Sequence, residues 1–431
     1  MTWHLSEQRL EDETPQGSFE RNLAVALKGR EAFRERLAAL GGRPLERLLA
    51  HVTSTVPYYQ EYPPSLQAFE TIDRSVMQAK RSLFLSAPYR EIGEALSVKT
   101  NGTLSTQLRV AFDLAAYFDA NHFAFSRILD TRPALWDALT PEGLAIYLIS
   151  DNPKELRLTA CMVALRGALM RLLPLGRGDA EDRTTLRQVR ERPASILYGK
   201  PRALLQLAEL DAEEPGGPPI RPLALLTAGE NLYDSDRARL IGAFGCDVLN
   251  AYTSSEGGLI AVDCPHGPGF HVQTDRLLAE VLTPGGALSP EGSGELVITN
   301  FVNWAQAFVR YRQGDQVTVR HGRCGCGFDG PTIVKLSGRD ATHLRVRGIG
   351  PVETSALEPV LTRPDVKQYE VRQEEGGTLA VRWIPAGRAD EEAVARALEG
   401  GLREVVGDAF TLSCVDTITE PGGKLRRFIG P

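Results

Sequence analysis

Three cysteines and a histidine offer the first recognisable chemistry in the chain. Cys264 opens CPHGPGFH, which supplies His266 and His271, and RCGCG places Cys324 and Cys326 on a glycine-rich knuckle further along. Three thiols and an imidazole make a complete tetrahedral zinc set, and glycines let the backbone turn tightly around an ion. With no coordination position left open, such a metal would brace the fold and take no part in catalysis. The alternative is a group of buried free thiols. A second stretch, SVKTNGTLSTQLRV from Ser97 to Val110, sets small hydroxylated residues around one glycine and closes on Arg109. That is the composition of a loop wrapping phosphates, and equally of a polar turn before a strand.

The elements that must position these residues follow from composition and period. The 431 residues exceed one small core, so a large domain plus a smaller one is expected. A net charge of -6 gives no basic footprint for nucleic acid. The N-terminal MTWHLSEQRLEDETPQ lacks the basic start and apolar run of a signal peptide, so no secretion is implied, and six cysteines without a disulfide framework fit a cytoplasmic, reducing setting. The most apolar long stretch, Leu158 to Leu175, carries Arg166 and Arg171, which argues against a membrane span and predicts a mostly buried helix. Residues 1–20 read as a loose tail, and Asn22 to His51 has helical spacing ended by VPYYQEYPP. GLAIYLIS (143–150), PLALLTAG (222–229) and CDVLNAYTS (246–254) read as strands separated by helical segments, the pattern of a mainly parallel sheet covered on both faces. From about 264 to 335 the texture becomes strands and short turns, a β subdomain. The section 341–431, with LAVRWIPA and DEEAVARALEGGLREVV, reads as a small α+β domain.

LYGKPRALLQLA (197–208), LLTAGENL (225–232), NAYTSSEGG (250–258), GSGELVIT (292–299), VRYRQGD (309–315), LSGRD (336–340) and GGKLRRFI (422–429) follow one another in the order of the signatures of the acyl-adenylate-forming superfamily. The VPYY entrance, the ELV segment and the RYRxGD form resemble its phenylacetate-CoA ligase-like branch. The resemblance runs from about residue 44 to the C-terminus and implies an α/β fold. A large adenylating domain over 21–340 would combine parallel sheets, covering helices and the β subdomain, and a small mobile α+β domain would span 341–431. It implies ATP and Mg2+ as cofactors, a small carboxylic acid, aromatic by analogy with the branch, as substrate, and CoA, a carrier-protein phosphopantetheine thiol or an amine as acceptor. No nucleic acid and no membrane enter this reading.

By the same resemblance Glu256 is the magnesium-coordinating glutamate, and Lys424 is the lysine that swings onto the α-phosphate during adenylation. Asp315 accepts from the ribose hydroxyls, Tyr252 lies against adenine, and Arg339 sits near ribose and phosphates. Thr100, Asn101, Gly102 and Thr103 begin the phosphate loop, while Gly229, Glu230 and Ser255 belong to the nucleotide-contacting motifs. The branch often carries a Cys/His cluster between these motifs, which favours structural zinc on Cys264, His271, Cys324 and Cys326, with His266 as fallback and His321 behind it. Small Gly257 and Gly258 suggest room for a flat acyl group.

The sequence departs from the pattern at three places. In TNGTLSTQL the family's second threonine, second glycine, basic residue and proline become Leu104, Ser105, Thr106 and Gln107, so a cation and a glycine are missing, with Arg109 nearby. Thr253 stands where glycine is usual, and Ala341 and Thr342 replace acidic residues at the hinge beside Asp340. The alternative reading is a relative that has lost catalysis and serves as a nucleotide- or acyl-binding partner.

Overall fold

The computed structural model describes residues 15–92, 96–99, 108–133, 135, 145–150, 169–176, 178–191, 196–264, 266–267, 269–338, 343–387, 389–418 and 427–430. They gather into two compact units that divide between Leu336 and Ser337.

The first unit begins with helices Pro15–Leu40 and Pro44–Thr55. Gly41, at φ +54°, turns the chain between them, a conformation a side chain would strain. Helix therefore starts at Pro15, inside the stretch expected to be tail. The second helix buries Leu48, Leu49 and Val52 and stops before Pro57. Its apolar face joins a core that includes Phe33, Phe308 and Tyr311. Strands β1 (Leu96–Lys99) and β2 (Arg109–Phe112) pair antiparallel, with Lys99 opposite Arg109. The intervening loop, Thr100 to Gln107, lies outside the described residues.

Twelve strands among the described residues form one sheet of two characters. β3 (Ala145–Ser150), β4 (Leu169–Pro174), β5 (Ile196–Gly199), β6 (Ala224–Ala228) and β7 (Asp247–Ser254) run parallel in the order β4-β3-β5-β6-β7. Helices cover both faces, as near-continuous apolar strands require. Leu186, Leu204, Leu207, Leu240 and Phe244 pack on one side with Leu197, Leu225 and Val248. Ala124, Ile128 and Leu129 pack on the other with Ile146, Leu226 and Leu249. β4 corrects the sequence reading, because Leu169 to Pro174 pair with β3 as strand where a helix was predicted. An apolar run without clear period does not separate a buried helix from a buried strand.

Past β7 the sheet turns antiparallel. It runs through β8 (Gly258–Asp263), β9 (Phe270–Val272), β10 (Leu277–Leu282), β11 (Leu288–Ser289), β12 (Gly292–Asn300), β13 (Tyr311–Arg323) and β14 (Asp329–Gly338). In space the order is β7-β8-β9-β14-β13-β12-β10-β11.

The second unit holds a hairpin, β15 (His343–Val346) with β16 (Gly350–Glu353). It also holds a four-stranded sheet formed by β17 (Val366–Gln373), β18 (Leu379–Pro385), β19 (Phe410–Cys414) and β20 (Phe428–Ile429), ordered β19-β18-β17-β20. Helix Glu391–Val406, capped by the Asp390 carboxylate on the amides of Glu392 and Ala393, buries Val394, Leu398, Leu402 and Val406. No helix among the described residues is long and apolar enough to cross a membrane.

Candidate functional site

The carboxyl ends of parallel neighbours β5, β6 and β7 bring three of the sequence motifs together, the edge where open α/β sheets place ligands. Lys200 follows β5, Gly229 and Glu230 follow β6, and Ser255 and Glu256 follow β7. Gly229 takes φ +83°, which a side chain would strain, and the buried Glu230 carboxylate faces Lys200 Nζ at 3.9 Å and Arg202 Nη2 at 3.8 Å.

Two bulges shape the edge. The β7–β8 pairing slips between Tyr252 and Thr253, and the β12–β13 pairing slips between Glu295 and Val297. A bulge re-aims the residues beside it. Here the Tyr252 hydroxyl donates to Asp315 Oδ2 at 2.6 Å, joining the predicted adenine-side aromatic to the predicted ribose carboxylate across 63 residues of chain. Asp315 is set by its own motif. Glu295 accepts from Arg312 Nε at 2.9 Å and from the amide of Gly314 at 3.0 Å, and Arg310 grips Glu280 through Nε at 3.0 Å and Nη2 at 2.9 Å. The two arginines of RYRQGD are thus fasteners that fix the bulged start of β13 presenting Asp315.

Glu256 sits deeper, with only 3% of its surface exposed. Its Oε1 accepts from Arg74 Nη2 at 3.0 Å and from the Tyr311 hydroxyl at 3.1 Å, while its backbone carbonyl accepts from Asn300 Nδ2 at 3.0 Å. Burial, followed by the Glu256 charge, pushes the Tyr311 hydroxyl well above its ordinary pKa, so it stays a donor. Arg74 and Tyr311 were not singled out from sequence. Tyr311 lies within the RYRQGD motif, whereas Arg74 carries no local signal, being separated from Glu256 by 182 positions.

The two glycines after Glu256 differ. A Cβ on Gly257 would stand 2.8 Å from Ile298 Cδ1 and 2.9 Å from Ile260 Cγ1, so core packing, not acyl space, demands its smallness. At Gly258, φ +66°, the nearest atoms to an added Cβ belong to Ala120 at 3.8 Å and Asp119 Oδ2 at 3.9 Å. Thr100, Asn101, Gly102, Thr103, Arg339 and Lys424 lie outside the described residues.

The opposite ends of the same strands carry the sulfur donors. Cys264 follows β8, His271 lies in β9, and Cys324 and Cys326 occupy the β13–β14 turn. Their ligand atoms lie within 4.8 Å of one another, and this is the one His/Cys/Asp/Glu group of metal-holding size among the described residues. Cys264 and Cys324 Sγ are 3.4 Å apart, and Cys326 Sγ is 3.7 Å from His271 Nε2. Two sulfurs on one tetrahedral zinc stand about 3.8 Å apart, so the set is near ligand geometry. The knuckle is held by the amide of Cys324 donating to Phe328 O at 2.7 Å, and the His271 ring stacks on Phe328 with centroids 4.2 Å apart. Burial pushes the Cys264 thiol up to about 11, while hydrogen bonds, first from the Cys326 backbone, hold Cys324 below its ordinary value. His266 contributes its amide to Cys264 Sγ at 3.3 Å, and His321 is exposed beside Pro290 O at 3.2 Å. β8 has six residues, which puts the cluster about 20 Å from Glu256.

No family model and no curated protein matches the chain by sequence. Solved structures do match it. A 2-hydroxyisobutyryl-CoA ligase in the postadenylation state, in complex with R3-HIB-AMP, is similar over 93% of this chain and 90% of its own, with a TM-score of 0.72 at 17% identity. The anthranilate CoA ligase AuaEII in complex with anthranoyl-AMP is similar over 77% of this chain and 64% of its own, with a TM-score of 0.53 at 14% identity. The amide bond synthetase McbA from Marinactinospora thermotolerans is similar over 77% and 68%, with a TM-score of 0.51 at 19% identity. At such identities the likeness is one of fold.

Proposed function

We propose that this chain, which has the two-domain fold of the acyl-adenylate-forming superfamily, activates a small carboxylic acid with ATP as acyl-AMP. It would then pass the acyl group to CoA, a carrier-protein thiol or an amine. The observation that carries the reading is the 2.6 Å bond from Tyr252 to Asp315, which sets an aromatic ring beside a carboxylate at the carboxyl edge of the sheet. That is the equipment for a nucleoside, since a ring stacks on a base and a carboxylate accepts from a vicinal diol. With one oxygen fixed by Tyr252, the Asp315 carboxylate is oriented before a ribose arrives.

In the first half-reaction a carboxylate oxygen bonds to the α-phosphorus as pyrophosphate leaves. In the second, a thiol or amine bonds to the acyl carbon and AMP leaves. The resemblance gives Lys424 the α-phosphate, the amides of the loop begun by Thr100 to Thr103 the outer phosphates, and Arg339 a place near the ribose. All of these act by position and charge. The phenylacetate-CoA ligase-like branch and an aromatic acid are the finer reading, supported by the VPYY and RYRxGD motifs. Magnesium supplies charge to the phosphates of ATP, but the buried, doubly engaged Glu256 does not fit an open metal ligand. The Cys/His set does fit zinc, held by Cys264, His271, Cys324 and Cys326, which would tie β8 and β9 to the β13–β14 turn.

The test is ATP–pyrophosphate exchange against a panel of aryl and alkyl acids. Exchange with at least one acid, abolished in Lys424→Ala while ATP still binds, is the expected result. ATP binding without exchange across the panel would replace this reading with that of a nucleotide- or acyl-binding partner.

A further inference from the structure

We infer that Arg74 is the fixed cation of the nucleotide site, held on Glu256 where the sequence resemblance places magnesium, and that Mg2+ arrives on ATP without Glu256 as a ligand. The inference rests on the nucleotide reading above and assigns a role within that site.

Three observations carry it. First, Glu256 Oε1 already accepts from Arg74 at 3.0 Å and from Tyr311 at 3.1 Å, and its side chain is 4% exposed against 22% for that of Arg74. An incoming anion therefore meets the guanidinium before the carboxylate. Magnesium demands near-octahedral room and retains several waters, and taking Glu256 would strand a partly buried guanidinium without its counter-charge. Second, the mount of Arg74 is built. Ile72 bridges to the Tyr311 strand, its amide donating to Arg310 O at 3.0 Å and its carbonyl accepting from the Arg312 amide at 2.8 Å. Asp73 then caps the Arg74–Ala79 helix through the Val76 amide at 3.0 Å. Arg74 and Tyr311 are thus delivered to Glu256 by one piece of backbone. Third, Thr106 stands where the family's phosphate loop has its basic residue, so the sequence lacks a cation that Arg74 restores from another element. A guanidinium keeps its charge at every working pH and offers several donors to phosphate oxygens.

The test measures ATP affinity of the full chain by calorimetry with Mg2+ and with EDTA, and Mn2+ binding to the chain–ATP complex by electron paramagnetic resonance. The wild type is expected to bind ATP in EDTA within about threefold of its affinity in Mg2+. Arg74→Met should lose about tenfold in both conditions, the scale of one charge-assisted hydrogen bond, and Arg74→Lys should recover part of it. Glu256→Gln, which keeps the acceptor for Arg74 and Tyr311, should hold Mn2+ within about twofold of wild type. Circular dichroism confirms folding, and Arg74→Gln, which keeps donors and removes the charge, decides the matter if the methionine variant unfolds. A loss of Mn2+ affinity of about tenfold or more in Glu256→Gln, with ATP still bound, overturns the inference and leaves the nucleotide reading standing. Unchanged ATP affinity in folded Arg74→Met or Arg74→Gln also overturns it. A chain that binds no ATP in any condition removes both.

Discussion

Strands β8 and β13 end in two sites of opposite electrostatic design. At one end Glu256 is neutralised from within by Arg74, and Asp315 is tied to Tyr252. At the other, Cys264, His271, Cys324 and Cys326 converge on one another, and among the described residues no ion pair reaches them. The first end pairs its buried carboxylate with a cation of its own. The second gathers thiol and imidazole donors, the set that the proposed zinc would use. On the proposed assignments one scaffold separates a site for a nucleotide that binds and leaves from a site for a metal that stays, and the two should fail independently.

The largest effect that would break this separation is at Asp315. Replacing it with alanine should lower ATP affinity by about 10- to 100-fold by calorimetry while zinc content and melting temperature stay near wild type. A metal loss in that variant would join the two ends. Next is Cys264→Ser, or exhaustive chelation. Zinc should fall from about one per chain to below about 0.2, with melting lowered by about 5–10 °C in a thermal scan and ATP affinity kept at low temperature. Carefully purified wild type holding under about 0.2 zinc per chain would remove the metal from the account.

A smaller effect separates the roles of Tyr252. Tyr252→Phe keeps the ring and deletes the donor to Asp315, so ATP binding should weaken by about tenfold, whereas Tyr252→Ala should cost more by losing the stacking face as well. Equal losses would mean that the ring does no stacking.

The smallest lies away from both ends. His51 stacks on Trp304 at 4.5 Å, and its Nε2 lies 3.1 Å from Trp304 O. Burial is the main cause lowering its pKa below 6.5. The unfolded chain then takes the proton first, so stability is full above about pH 6.5 and falls as pH drops through it. A shift of about 2 °C in melting between pH 7.5 and 5.5, reduced in His51→Gln, is the expected readout.

Much of this contrast was legible in the sequence because it is local. Alternating apolar and turn residues gave β10 and β12, helical spacing gave Glu391–Val406, and the Cys and His residues announced themselves by type. Leu169 to Pro174 was misread because apolar content alone does not distinguish a buried strand from a buried helix. Gly257 suggested open space, yet the structure fills it with Ile298 and Ile260. Arg74 was invisible because its partner comes from a distant turn, and only folding brings the two charges together.

The most direct test of two independent ends is a paired assay on Asp315→Ala and Cys264→Ser, with ATP affinity and bound zinc measured on the same preparations. The account predicts that the first variant loses ATP and keeps zinc, and that the second loses zinc and keeps ATP. Loss of both properties in either variant would contradict it.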